Sequence, residues 1–391
     1  MRDFSQTLNR FDTCSLKWNV MKNELPMWVA DMDFQVAKEI TEALHKVLQH
    51  GIFGYTVVPE LYFESIMTWW QRRYCFAMQR QWLLFARGVI PAISCIIRHF
   101  TDEGDSVLLQ SPVYHVFYRC IEENQREVLN NALLYRNGDY EIDFEDLEEK
   151  LSATRTKVFL LCSPHNPIGK VWDKEILRKI GHLCAKHKVL VVADEIHCDI
   201  TAPFVRYIPF ASIDSLCAAH SITTLSAGKS FNIADLHTAC LVVPNSDIRR
   251  KMLRALQKEH AHSSNIFGLQ ACIAAYTQCE YWLESLVQYI EENKTTLQDF
   301  IATHLPYLRV VHSNATYLAW INYSQIPSKD SESIENFCEI LRRETGLYVS
   351  KGSDFGENGK GFLRMNLATS RERLEDGLRR LQAGCHFIES R

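Results

Sequence analysis

Lys229 sits in TTLSAGKSFN (223–232), among small and hydroxylic residues. A lysine in such a turn is costly to bury unless its amine is used. Neutral, it can attack a carbonyl carbon or take a proton. Asp194 closes the apolar run KVLVVAD (188–194), where an unpaired carboxylate is expensive to bury. Asn166 lies in SPHNPIGK (163–170), Tyr114 in SPVYH (111–115) and Arg364 in GKGFLRMNLA (359–368). Taken singly, these residues also read as a capping aspartate, a turn asparagine, a core tyrosine and a surface arginine. LLFARGVIPAISCII (83–97) reads as a strand, a glycine turn and an apolar helix starting near Pro91 as its first residue. The N–H groups of Gly88, Val89 and Ile90 then point outward and form an anion cradle.

These groups need a scaffold that brings them to one rim. Short apolar runs, SVLLQ (106–110), KVFLLC (157–162), KVLVVAD, SITTLS (221–226) and ACLVVP (239–244), alternate with amphipathic stretches such as DKEILRKIGHLCAKH. This alternation predicts an α/β fold whose central sheet is mostly parallel, with helices on both faces. In open α/β sheets ligands bind at the carboxyl ends of the strands. The polar motifs follow those ends directly. A cradle, an aromatic, a carboxamide, a carboxylate and a lysine on one rim suit a phosphorylated aromatic cofactor better than a metal or a hydrolytic triad.

The chain has 391 residues, too many for one small core. We expect an N-terminal segment (1–45) packing with the small domain, a large domain (46–280) and a smaller α+β C-terminal domain (281–391). The last opens with the long helix WLESLVQYIEENKTTLQDFIATHL, continues through the strand ATYLAWINY and closes on a helix from about residue 370. A net charge of -4 and the lack of a basic stripe argue against nucleic acid. No apolar run reaches membrane-spanning length, and the first residues lack a secretory signal's apolar core. Thirteen cysteines, an odd number without a Cys-x-x-Cys pair, point to a reducing cytoplasm with no disulfide framework and no zinc site.

In the order SLKWNV, LPMWVADMDF, GIFGYT, GVIPA, CSPHNPIGKVW, DEIH, SAGKSFNIADL, TYLAW and FGENGKGFLRMNLA, the sequence resembles the fold type I pyridoxal-phosphate enzymes. Within them it resembles the cystathionine β-lyase and cystalysin-like C–S lyases. The resemblance spans essentially the whole chain and implies pyridoxal 5'-phosphate as cofactor. It makes Lys229 the lysine that carries the cofactor and moves the substrate's Cα proton. Asp194 is placed at the pyridine nitrogen, Asn166 at the ring oxygen, and Tyr114 over the ring and toward the substrate. His197 joins the cofactor set. Ser226 and the Gly88–Ile90 backbone are placed at the phosphate, together with Tyr55 donated by a neighbouring subunit, which implies a homodimer. Arg364 becomes the clamp on the substrate carboxylate, and Asp31 a further substrate contact. No metal is assigned.

Three positions depart from the aminotransferase pattern. His197 stands where a tyrosine is usual three residues after the aspartate, as is typical of the lyase branch. KSFNIADLHTAC lacks the phosphate-holding arginine, leaving Asp235 and His237 nearby. His115 follows Tyr114 on the substrate side, where it bears on the leaving group. The implied reaction is β-elimination from L-cystathionine or L-cysteine. Transamination and a regulatory role with weak catalysis are the alternatives.

Overall fold

The apolar runs assemble into one seven-stranded sheet made of β1 (Leu83–Ala86), β2 (Ser106–Leu109), β3 (Glu127–Asn130), β4 (Thr156–Cys162), β5 (Leu190–Asp194), β6 (Ser221–Leu225) and β7 (Ala239–Val242). Their order is β1-β7-β6-β5-β4-β2-β3. Only β7 runs against its neighbours, β1 and β6. The carboxyl ends of the other six therefore share one edge. The chain moves outward from β2 to β3, then returns through β4, β5 and β6. Between β2 and β4 the direction of winding reverses, which opens a crevice at their carboxyl ends. This computed structural model describes residues 4–328 and 330–390.

Strand periodicity assigns the two faces of the sheet. Val158, Leu160 and Cys162 of β4 pack with Ile93, Phe117 and Met252 from the helices on one side. Phe159 and Leu161 pack with Leu147, Leu177 and Cys217 on the other. The helix after β1 starts at Val89, not at Pro91, with Gly88 as its cap. Pro91 is thus the third helical residue, still in the first turn, where a missing N–H leaves no bond unmade.

A second sheet, β8 (Arg309–Val310), β9 (Leu318–Asn322), β10 (Ser350–Lys351) and β11 (Phe362–Asn366), runs antiparallel in the order β8-β9-β11-β10. The helix Glu280–His304 spans two cores: Trp282, Leu286 and Ile290 lie in one, Leu297 and Ile301 in the other. The opening segment divides the same way. Trp18, Leu25 and Met27 join the core under the second sheet, whereas Phe34, Ala37 and Ile40 join that of the large domain. Leu25–Pro26 pairs in parallel with Leu347–Tyr348. This pairing stretches residues 28–34 as a strap across the crevice. Among the described residues, no helix is long and apolar enough to cross a membrane.

Candidate active site

A cavity of about 630 Å³ opens where β2, β4 and β5 end and the second sheet closes over them. Its walls bring together Tyr114, Asn166, Asp194, His197, Lys229 and Arg364, contributed by five separate stretches of chain.

Lys229 projects from the short helix Ala227–Ser230 that follows β6. Ser226 caps this helix, accepting the Gly228 N–H at 3.0 Å while its hydroxyl donates to the Thr238 carbonyl at 2.7 Å. A side chain at Gly228 would bring Cβ to 3.1 Å from Ala234 Cα, a tight contact in which one of the two would have to give. Asn232, at φ 57°, accepts the Met32 N–H and donates to the Met32 and Phe34 carbonyls, tying the lysine loop to the strap. The strap's carbonyls are in turn held by the site. Lys229 Nζ and Tyr317 Oη donate to Ala30 O at 2.6 and 2.9 Å. Arg364 Nη2 donates to Trp28 O at 2.6 Å. Asn366, two residues along β11 and on the same face, donates to Val29 O and Asp31 O.

Burial, helped by the Arg364 charge and opposed by Asp31 and Asp194, brings the Lys229 ammonium down to about 8. A usable fraction is therefore neutral near physiological pH. Burial pushes Asp194 up to about 6, against a 2.9 Å hydrogen bond from Thr224 Oγ1, the Ile196 N–H and the Lys229 charge. Burial, Lys229 and Arg364 push His197 down to about 3, so its imidazole is neutral. Arg364 is buried and joins no carboxylate among the described residues. Nη1 reaches Asn166 Oδ1 at 3.1 Å, and burial lowers the guanidinium to about 10. Burial also raises the Tyr114 phenol and lowers His115.

The residues fit pyridoxal phosphate. His197 Nδ1 and Arg364 Nε are buried without a partner among the described residues, and both belong to side chains that line the cavity. Native structures rarely leave such atoms unmade. Asp194 is a buried carboxylate with hydroxyl and amide partners and, among the described residues, no cation bonded to it, as a protonated ring nitrogen requires. The cavity volume falls in the range of small-molecule sites.

Other expected residues lie elsewhere. Gly88, Val89 and Ile90 form the N-terminus of their helix, beyond the cavity lining, as does Ser226. Tyr55 is fully exposed on its own chain. Asp31 does not line the cavity, because its carboxylate is taken by Arg10 at 2.9 Å and Lys17 at 3.6 Å. Asp235 and His237 are exposed and face each other at 3.8 Å. The sequence reading gave no role to the strap carbonyls, to Tyr348 or to Asp354 on the cavity wall, nor to Tyr317 and Trp28, although TYLAW and LPMWVADMDF contain them.

Glu195 faces away from the cavity, accepting the Phe210 N–H at 2.8 Å. Burial pushes its carboxyl from 4.5 up to about 8, against bonds from Phe210 and Tyr207. Between those values the folded state holds a proton that the unfolded state has lost, so this residue's share of stability falls as pH rises. The slope is roughly 1.4 kcal/mol per pH unit. Denaturant unfolding of cofactor-free protein at pH 5 and pH 8 should show wild type losing a few kcal/mol more than Glu195→Gln across that range. Equal losses would overturn the assignment.

Residues 25–381 match the family model for class I and II aminotransferases. The chain is 38% identical to cystathionine beta-lyase PatB of Bacillus subtilis over 387 residues, 97% of this chain and 99% of that protein. Among solved structures it resembles cystalysin from Treponema denticola, which contains a pyridoxal 5'-phosphate cofactor. That match has a TM-score of 0.94 at 31% identity, covering 99% of this chain and 100% of the other. The pyridoxal-phosphate-bound C–S lyase from Staphylococcus hominis follows with a TM-score of 0.92 at 30% identity, covering 98% and 99%.

Proposed function

Because the chain belongs to the class I and II aminotransferase family, in its pyridoxal-phosphate-dependent cystathionine β-lyase and C–S lyase branch, we propose that it cleaves L-cystathionine, L-cysteine or both by β-elimination. The products are homocysteine or hydrogen sulfide, with pyruvate and ammonia. The observation that carries this reading is the convergence of a lysine held near neutrality, a buried carboxylate and an unpaired buried guanidinium in one cavity.

Bound pyridoxal phosphate supplies a sink for the electron pair left at Cα. Asp194 would hold its ring nitrogen, Tyr114 its ring face, and Asn166 and His197 its ring substituents. The phosphate would fall to the Gly88, Val89 and Ile90 N–H groups, Ser226 and Tyr55 of a second copy. Arg364 binds the substrate carboxylate and fixes Cα in the space that Lys229 lines. Neutral Lys229 takes the Cα proton. The C–S bond then breaks with its electron pair on sulfur, and the remaining three-carbon enamine hydrolyses to pyruvate and ammonia.

The same reading makes the molecule a homodimer. Ile52, Phe53, Tyr55, Val57 and Leu61 are exposed along one stretch, an apolar surface that a second copy would cover. Sedimentation should give twice the chain mass. A monomer that turns over at full rate would remove Tyr55 from the site. The compartment we assign is the reducing cytoplasm, in keeping with free thiols at every cysteine, only Cys14 and Cys75 being exposed.

Cofactor-loaded protein given L-cystathionine without a keto acid should release pyruvate, at rates on the order of 1–10³ s⁻¹. No pyruvate from protein with its cofactor bound would overturn the proposal. Turnover that needs a keto acid would point to transamination instead.

A further inference from the structure

Of the residues that line the cavity, Asp194 and Arg364 are buried and Lys229 nearly so, whereas His115, Glu339 and Asp354 are exposed and Arg342 and Lys351 partly so, which makes the latter group its outer wall. The charges on that outer wall are unevenly matched. Arg342 donates from Nε and Nη2 to buried Glu24 at 2.6 and 3.2 Å, and lies 3.7 Å over the Tyr348 ring. Tyr348 stacks on Trp28 at 4.8 Å. Lys351 is paired with Glu339. Each of these cations is thus matched by a carboxylate. Asp354 joins no ion pair or hydrogen bond among the described residues; its charge acts on Lys351, which Glu339 already holds, and on Arg364 without pairing with either, so it is the cavity wall's unpaired carboxylate. His115 does not cancel it, since burial favours the neutral imidazole.

The position of Asp354 is set firmly. It lies in the turn Gly352–Phe355, whose last carbonyl accepts the Val113 N–H at 2.9 Å and the Tyr118 hydroxyl at 3.1 Å. A Cβ at Gly352 would stand 2.0 Å from Gly359 O. One at Gly356, where φ is +124°, would stand 2.7 Å from Tyr118 Oη. Only glycine at both positions lets the turn clamp onto the loop that carries Tyr114 and His115. Asp354 is therefore held at the exposed part of the cavity wall.

We infer that Asp354 selects the leaving group, receiving an ammonium carried at the far end of the sulfur substituent. The site then favours thioether amino acids whose departing thiol is cationic over neutral or anionic ones of similar length. This rests on the C–S lyase reading. L-Cystathionine carries an ammonium beyond its sulfur on a carbon that also bears a carboxylate, so its departing thiol is zwitterionic, and L-cysteine has nothing there.

The test compares kcat/KM for S-(2-aminoethyl)-, S-propyl- and S-carboxymethyl-L-cysteine, in wild type and in Asp354→Asn. Asp354 is exposed, so its charge is partly screened and the expected preference for the cationic substrate is about tenfold. The variant should bring the ratio near one while keeping its rate on the propyl substrate. L-Lysine and L-2-aminoheptanoate, which carry methylene in place of sulfur and release nothing, should show the same discrimination by calorimetric titration. Cleavage of all three thioethers with no cationic preference, or with a preference untouched in Asp354→Asn, overturns the inference and leaves the lyase reading intact. Absence of pyruvate from all three while L-cystathionine is still cleaved overturns the inference and leaves the lyase reading intact, whereas absence from L-cystathionine as well overturns both.

Discussion

Replacing Lys229 by alanine should cut pyruvate release from L-cystathionine by at least about 10³-fold, because the variant loses the one base among the described cavity residues whose affinity for a proton suits the step. Of the other nitrogen groups lining the inner cavity, Arg364 has no free electron pair to offer. Burial, Lys229 and Arg364 together leave His197 too weak a base to hold a Cα proton. Lys229, brought down to about 8, is neutral often enough to accept the proton and basic enough to keep it. A readout separate from turnover is the cofactor's attachment. Hydride reduction of loaded wild type should fix the cofactor to the chain and raise its mass, whereas Lys229→Ala should stay at its own mass. Lys229→Arg should fail in the same way, since it keeps the charge without supplying a base. More than a tenth of wild-type activity in Lys229→Ala would place the base elsewhere, with His197 or His115 next to be tested.

Arg364→Ala should lower kcat/KM by roughly 10²–10³-fold, the loss expected for a charge-assisted bidentate contact in a buried site. The effect should appear mainly in KM if the guanidinium only holds the carboxylate, and in kcat as well if it also orients the Cα–H bond. Three internal bonds go with the side chain, to Asn166 Oδ1, Trp28 O and Ser350 Oγ. Lysine should not rescue the variant, because an ammonium cannot reproduce the planar fork. Loss of the Arg364 charge should also raise the Lys229 pKa, since that charge helps to hold it down. The acid limb of the pH–rate profile should then move to higher pH. An unmoved limb together with an unchanged KM would remove Arg364 from the substrate site.

Much of the large domain was legible in the sequence. Continuous apolar runs such as KVFLLC and KVLVVAD can only be buried strands, and their carboxyl ends had to share an edge if they ran parallel. Asp194, Asn166 and Lys229 were legible because each sits at such an end with a side chain that is costly there unless used. The direction of β7 was not, since periodicity fixes which face a side chain takes and says nothing about strand polarity. Pro91 misled by two residues, because proline is tolerated throughout the first helical turn. Asp31 was drawn toward the substrate by its motif. Arg10 and Lys17 claim it instead, an outcome that depends on how the N-terminal segment crosses the core.

The sequence by itself determined the chemistry available: an amine, a carboxylate, a guanidinium and a helix N-terminus, carried on an α/β sheet. Those are properties of residue type and local period. Tertiary structure alone decided their strengths and their neighbours. Lys229 is near neutrality because the fold buries it beside Arg364, which lies 135 positions further along the chain. The strap holds Arg364 and Lys229 through the carbonyls of Trp28 and Ala30, groups that every residue carries and no sequence can mark. Asp354 stands unpaired on the cavity wall because one turn that depends on two glycines leaves it there while the neighbouring Arg342 and Lys351 find partners. Desolvation and pairing depend on which distant segments meet, and a one-dimensional pattern does not contain that information.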